Sequence, residues 1–461
     1  MKKRGASTAS LIGTLIVGLL IGAGILYAAA PSLGLGGAGA TKTVTTTVTT
    51  SNAQAAGLCN GQTVTIGALN DLSGGLSAQG KGELAAEQLA ITDVNSFVAS
   101  SGCSLTFALN NQDYKLDTPT ALSELQAMGA SGIQVVIGPL NSGTAAGILS
   151  YADQNHIVLI SPSSTSIALA IPNDYLFRTA PDDAAQGQAD AQELLAAGAK
   201  AVIVVNRDDT YGDGLANSTI TWLKQDDPSI VIGGPTKYDI STSDFTSIIS
   251  TMSSQYSTLS SQVGAANVAI YIVAFQEYGS ILSQVNTQAP SLLSTHLPWF
   301  GMDGIAQNSD LSNSSSSVAS LAAKVGVYST LFGVLSNNSK ASAFYARIQG
   351  TSAGAAILGG GAFYTFEGYD DVWLAALSIL QSGRNSGQAI QAILPTVAGN
   401  FYGLTGAETL TPAGDRALFA GSGYQIWKVV STGASSWGWI LAGQWDYASN
   451  TVSWTTGNAP A

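Results

Sequence analysis

Charge is scarce in this chain. Only 10% of its 461 residues are Asp, Glu, Lys or Arg, where an average soluble domain carries roughly 25%. The surface must therefore be built from Ser, Thr, Asn, Gln and Gly, a composition suited to an acidic exterior in which carboxylates are protonated; loss of stability at pH 3 would contradict that expectation. Positive charge is scarcer still, with 17 Lys and Arg against 29 Asp and Glu and a net charge of -12. The one basic run is Lys2-Lys3-Arg4, so a phosphate backbone would be repelled and nucleic acid is excluded as a partner. Two histidines, His156 and His296, are too few for a histidine metal cluster, and His156, ahead of an apolar strand, reads as structural. Two cysteines, Cys59 and Cys103, exclude a disulfide-dense scaffold. Each precedes an expected strand start, Val64 and Leu105, and neighbouring parallel strands would bring both to one sheet edge. A disulfide there is expected, with two buried thiols as the alternative.

Catalytic constellations are missing as well. No G-x-S-x-G elbow occurs. Gly75–Lys81, GLSAQGK, has most of a phosphate loop, but Gly82 replaces the hydroxyl residue that would hold magnesium. Asp71 and Asp113 fall in strand-end loops without the spacing of an acid/base pair, and Asp182-Asp183 and Asp370-Asp371 read as helix starts or solvated faces. The chain is expected not to be an enzyme and to need no cofactor and no metal.

One long apolar run is present, Leu11–Ala30, about 20 residues and enough to span a bilayer, with the basic flank expected inside. Cleavage after Ala30 would leave Pro31 first, and no cysteine stands where a lipoprotein anchor needs one. Lys3-Arg4-Gly5-Ala6-Ser7 resembles the class III, pilin-like leader of secreted binding proteins of some archaea. Residues 1–10 thus read as a basic leader, 11–30 as a membrane or signal helix, and 31–60 as a Gly/Ala and Thr-rich stalk containing TKTVTTTVTTS (41–51). Gly34–Gly39 spells G-x-G-x-x-G, but after the apolar run and not after a strand. Sequons at Asn217, Asn313 and Asn337 fit a surface-exposed glycoprotein. The expected location is the outer face of the cytoplasmic membrane, anchored by the N-terminal helix.

From Thr63 onward, short apolar runs alternate with helical patterns: 64–69, 105–109, 134–137, 157–160, 201–205 and 268–274. Strands this uniformly apolar are covered on both faces, as in parallel sheets. Between the first two, 82–100 carries Ala86, Leu89, Ala90, Val94 and Phe97 at helical spacing. The rhythm restarts near residue 200. An α/β fold of two doubly wound parallel-sheet lobes follows. In such sheets ligands bind at the carboxyl ends of strands, and the segments there are rich in small polar residues: Asn70–Gly75, Gly138–Thr144 and Ser161–Thr165. Ser142 and Thr165 stand near helix starts, where hydroxyls and free N–H groups favour an anion; simple helix capping is the alternative for each.

The stretches LSGGLSAQG (72–80), VVIGPLNSGTA (135–145), ISPSSTS (160–166), FRTAPDDAAQGQA (177–189), DDTYGDGLA (208–216), DFTSII (244–249) and FEGYDDVWLAAL (366–377) together resemble the branched-chain amino acid binding proteins, the type I periplasmic binding proteins that serve ABC importers. The resemblance implies two lobes joined by a three-strand hinge, with crossings near Thr179–Asp182, Tyr328–Gly333 and Gly421–Gln425. Lobe 1 would comprise 61–180 and 331–423, lobe 2 residues 181–330 and 424–461. It also implies a small-molecule ligand, an amino acid or analogue, and a permease and ATPase as partners. By position, Ser142 would bond the ligand carboxylate, Thr165 would offer it hydroxyl and N–H, and Ser163, beside Ser164, a carbonyl to the ammonium. Asp303 would pair with that ammonium from lobe 2, and Tyr211 would close over the ligand. Around Ala274 and Phe275 the family often has tyrosines, and Gln79 stands where an aromatic packs on the substrate side chain; these positions shape the specificity pocket, so branched-chain preference does not transfer. Alternative functions are a ligand-sensing ectodomain for an amide or amino acid and a surface filament.

Overall fold

The computed structural model describes residues 57–314, 316–334 and 338–460. The leader, the apolar run 11–30, nearly all of the proposed stalk and the Asn337 sequon lie outside the described residues. Of the other sequons, Asn217 and Asn313 are exposed.

Five strands form the first sheet: β1 (Thr63–Asn70), β2 (Thr106–Asp113), β3 (Val135–Ile137), β4 (Val158–Ser161) and β5 (Leu176–Arg178), in the order β2-β1-β3-β4-β5. All pairings are parallel. β3 and β4 are buried throughout, which their Val and Ile content favours because covered strands need apolar side chains on both faces. Helix α1 (Ser77–Ser100) links β1 to β2 and begins earlier than its periodic apolar stretch suggested. α2 (Thr118–Ala130) is capped by Asp117, which accepts the Thr120 N–H at 2.9 Å, and α3 (Ser142–Asn155) follows β3. A Cys59–Cys103 disulfide, with Cα atoms 4.8 Å apart, ties the chain ahead of β1 to the segment entering β2.

The second sheet holds eight strands: β6 (Ala201–Arg207), β7 (Val231–Tyr238), β8 (Val268–Val273), β9 (Trp299–Gly301), β10 (Tyr328–Val334), β11 (Ser422–Gly433), β12 (Ser436–Asp446) and β13 (Thr451–Trp454), ordered β13-β12-β11-β10-β9-β8-β6-β7. The part from β7 to β10 is parallel, but β11, β12 and β13 extend it antiparallel. This corrects the expectation of a purely parallel lobe. The links between β11, β12 and β13 are too short for a parallel crossover and permit only hairpins. Around this sheet lie α4 (Asp183–Ala196), α5 (Thr210–Asp226), α6 (Thr246–Val263), α7 (Glu277–Gln288) and α8 (Ala319–Val325).

Between β10 and β11 the chain forms α9 (Ser339–Ile348), α10 (Ser352–Gly359), α11 (Ala362–Ser382) and α12 (Gly387–Gly399). α10 and α11 pack against α1, and α12 against α11 and β4, so these helices cover the first sheet. Gly82 permits the close approach: a Cβ there would lie 2.6 Å from Thr365 Cγ2 and 2.8 Å from the Ala356 carbonyl oxygen. Among the described residues, no helix is long and apolar enough to cross a membrane.

Candidate functional site between the lobes

Three loops leave the carboxyl ends of β1, β3 and β4 and hydrogen-bond to one another. After β1, Asp71 is buried and its carboxylate accepts the N–H groups of Gly74 (2.6 Å) and Leu76 (2.7 Å). This closes the turn and starts α1, placing Leu76 and Gln79 at the strand ends. After β3, Asn141 occupies the N-cap position of α3 in an extended conformation, and its Oδ1 accepts the Tyr114 hydroxyl at 2.8 Å. Ser142 is the first residue of that helix. After β4, Ser161 and Ser163 donate to the carbonyls of Pro139 (2.6 Å) and Leu140 (2.9 Å), and Gln79 Nε2 donates to Ser163 Oγ at 2.7 Å. Ser142 Oγ accepts the N–H groups of Thr165 (3.1 Å) and Ser166 (3.0 Å). Its own hydroxyl hydrogen has no protein acceptor among the described residues and can serve an anion.

Buried Arg178, at the end of β5, braces the third loop. Its Nη1 donates to the carbonyls of Ser164 (3.0 Å) and Ser166 (2.8 Å), while Nε pairs with Asp415 at 2.6 Å.

From the second sheet, Asp303 follows β9 in a short turn, buried. Its Oδ1 accepts the Tyr211 hydroxyl (2.6 Å) and Gln186 Nε2 (2.9 Å), and its Oδ2 the hydroxyl of Tyr364 from α11. Asp209 caps α5 through the Gly212 N–H at 2.8 Å and so aims Tyr211. Tyr211 stacks on Phe275, ring centroids 5.2 Å apart, and Phe275 in turn lies under the Arg207 guanidinium at 3.8 Å. Arg207 is held by Asp209 (2.6 Å) and Glu277 (2.7 Å). Burial pushes the Asp303 carboxyl up, while the bonds from Tyr211, Tyr364 and Gln186 hold it down.

Gln79, Ser142, Ser163, Tyr211, Phe275 and Asp303 line one narrow gap, together with Leu76, Asn141 and Tyr364. A second narrow gap shares Leu76, Gln79, Asp303, Gly304 and Tyr364 with it. Among the described residues, no Lys or Arg lines either gap. The structure thus brings six of the eight residues singled out from sequence to one place. Ser164 and Thr165 are buried behind it, the Thr165 N–H spent on Ser142. Sequence reasoning missed Tyr364, Gln186 and Arg178. The last two sit inside the FRTAPDDAAQGQA stretch, which could have marked them; Tyr364 lies just ahead of FEGYDDVWLAAL.

Asp370 and Asp371 require a correction. They are neither a helix start nor a solvated face but buried inside α11. Ligand oxygens of Glu367, Asp370 and Glu408 lie within 4.8 Å of one another, a spacing compatible with a cation, yet the Arg416 guanidinium already pairs with Glu367 and with Glu408 at 3.1 Å. An arginine meets the need that a metal would.

The family model for periplasmic binding proteins matches residues 63–417. An uncharacterized protein of Methanocaldococcus jannaschii is 29% identical over 409 residues, spanning 85% of this chain and 91% of that protein. The leucine-specific-binding protein of Salmonella typhimurium is 28% identical over 170 residues, 36% of this chain and 46% of its own length. Among solved structures, the branched-chain amino acid transporter substrate binding protein LivJ from Streptococcus pneumoniae, in complex with isoleucine, superposes with a TM-score of 0.61 at 21% identity, covering 82% of this chain and 99% of that one. With two α/β lobes, a polar gap between them and a family match over most of its length, this chain belongs to the periplasmic binding proteins, extracytoplasmic solute-binding proteins and not enzymes.

Proposed function

We propose that this protein captures an amino acid, or a compound close to one, in the gap between its lobes and delivers it to an ABC importer. The observation that carries this reading is the pairing across the gap of Ser142, whose hydroxyl hydrogen has no protein acceptor among the described residues, with buried Asp303. The first suits a carboxylate and the second an ammonium. A zwitterion satisfies both at once, and its ammonium brings the positive charge that the lining lacks. Relatives named as leucine-binding or as bound to isoleucine support the same ligand class, and the transporter named with one of them supports the importer.

Tyr364 reaches Asp303 from the helices over the first sheet, while Tyr211 and Gln186 reach it from the second. Ligand held by the Ser142 loop would therefore draw the second lobe closed, shifting an open ensemble towards this arrangement. The apolar run 11–30 would hold the lobes at the outer membrane face.

Calorimetric titration of an amino-acid panel tests the reading; binding by none of them overturns it. Asp303→Asn keeps the shape but removes the charge, and losing one partner of a buried ion pair costs about 2–5 kcal/mol, or at least about thirtyfold in affinity. Unchanged amino-acid affinity in that variant would remove Asp303 from the ammonium site.

A further inference from the structure

The second gap is unlike an aliphatic pocket. Its lining includes three carboxamide side chains, Gln79, Gln276 and Asn308, with backbone-like walls from Gly75, Gly304, Gly359 and Gly360, whereas its aliphatic side chains are Leu76, Ala78 and Ala306. Each carboxamide spends one group on the protein. Gln79 Nε2 donates to Ser163 and, at 3.2 Å, to Glu83. Gln276 Nε2 donates to Asp310 at 2.5 Å. Asn308 Oδ1 accepts the Asp310 N–H at 2.8 Å, and the Asn308 carbonyl accepts the Trp439 indole N–H at 2.9 Å, which fixes that segment. The other group of each, Oε1 of Gln79 and Gln276 and Nδ2 of Asn308, has no partner among the described residues.

We infer that this second gap receives the side chain of the bound amino acid and selects a neutral hydrogen-bonding group, a carboxamide or hydroxyl, over a branched aliphatic one. The inference rests on the amino-acid reading of the site and adds its substrate class. The first gap holds Asn141, Ser142 and Ser163, which suit the ligand carboxylate, and Asp303 borders both gaps. An amino acid with its carboxylate at Ser142 and its ammonium at Asp303 therefore extends towards Gln276 and Asn308.

Three physical terms decide what fits there. Closing the gap over a leucine or isoleucine side chain would strip water from the half-buried amides of Gln79 and Asn308, and in part from exposed Gln276, and return no hydrogen bond. The sparse aliphatic lining recovers only part of what a fully apolar pocket yields. A ligand carboxamide instead donates to the glutamine oxygens and accepts from Asn308. An acidic side chain finds no counter-charge, because among the described residues no Lys or Arg lines the gap, and a basic one finds only Asp303, already the partner of the α-ammonium.

The test is isothermal titration of the full chain with glutamine, asparagine, serine, leucine, isoleucine, valine and glutamate, repeated on Gln276→Leu and Asn308→Leu variants whose folding is verified by thermal melting. At least one of glutamine, asparagine and serine should bind roughly tenfold or more tightly than every aliphatic ligand, with glutamate weaker still. Each variant should narrow that ratio by about tenfold while leucine binds as well as before or better. Leucine, isoleucine or valine binding most tightly to the unaltered protein overturns the inference and leaves the amino-acid reading standing, as does a selectivity ratio unchanged in both variants. Binding by no amino acid overturns both.

Discussion

Ser142 accepts two backbone N–H groups at its oxygen and retains its hydrogen, a division of labour set by a residue in the neighbouring loop. Arg178 matters in the same way without lining the gap. Its guanidinium fork holds the carbonyls of Ser164 and Ser166 and pairs with Asp415, so it fixes the loop whose N–H groups orient Ser142. Lysine lacks the planar fork and cannot make all three contacts. Arg178→Lys is expected to lower stability by about 3 kcal/mol or more, since a buried carboxylate loses its partner, and to weaken ligand affinity. Chemical denaturation and calorimetry measure the two; an unaffected affinity in a folded variant would show that the brace is structural alone. Arg178 stands in a stretch legible as a family motif, but nothing local to FRTAP indicates that its partner is Asp415, 237 residues away.

At the scale of elements, the βα alternation was readable because periodicity is a local property, and the first sheet follows it closely. Where the sequence pattern misled, long-range contacts are responsible. Asp370 and Asp371 look solvated in a helical stretch, yet α11 is buried against α1 and the segment carrying Glu408 and Arg416. Two junctions lend themselves to measurement. A Cβ at Gly80 would stand 1.9 Å from the Asp71 carbonyl oxygen, so Gly80→Ala forces apart α1 and the turn that sets Leu76 and Gln79. A loss of about 1–3 kcal/mol is expected, together with weaker ligand binding; denaturation midpoints within error of the unaltered protein would contradict the tight approach. The Cys59–Cys103 disulfide closes a loop spanning 44 residues, and its removal by Cys59→Ser with Cys103→Ser is expected to cost about 2–4 kcal/mol through the freed unfolded chain. The melting temperature of the double variant checks this.

The whole molecule is defined by its buried acids. Among the described residues, thirteen of the 29 Asp and Glu are buried, against three arginines, Arg178, Arg207 and Arg416. Glu367, Asp370, Asp371 and Glu408 share one arginine, Arg416, which pairs with Glu367 and Glu408. Burial pushes Glu87 up to about 8, and burial with the Glu408 charge pushes Asp370 up to about 8. Glu83, Asp183, Asp190, Glu193 and Asp371 are also driven well above the usual carboxylate range, burial being the largest cause in each. The native state therefore binds more protons than the unfolded chain between about pH 4 and pH 8, and stability falls as pH rises through that window, by up to about 1.4 kcal/mol per pH unit for each such group. Exposed aspartates near helix starts, such as Asp117 and Asp244, whose carboxyls are held low by hydrogen bonds from Thr120 and Thr246, act in the opposite direction only below about pH 4. Melting temperatures should thus be higher at pH 4 than at pH 8; a maximum at or above pH 7 would contradict this.

Sequence alone determined the alternating α/β plan, the family and the loops at the strand ends, because apolar periodicity and short polar motifs are written along the chain. It also named the Cys59–Cys103 pair, since strand neighbours in a parallel sheet share an edge. Only the tertiary structure decided that Tyr364, Gln186 and Tyr211 converge on Asp303, that β11 to β13 extend the second sheet antiparallel, and that nearly half the carboxylates are buried. These depend on contacts between residues far apart in the chain, and a carboxylate facing water is spelled the same way as one facing the core.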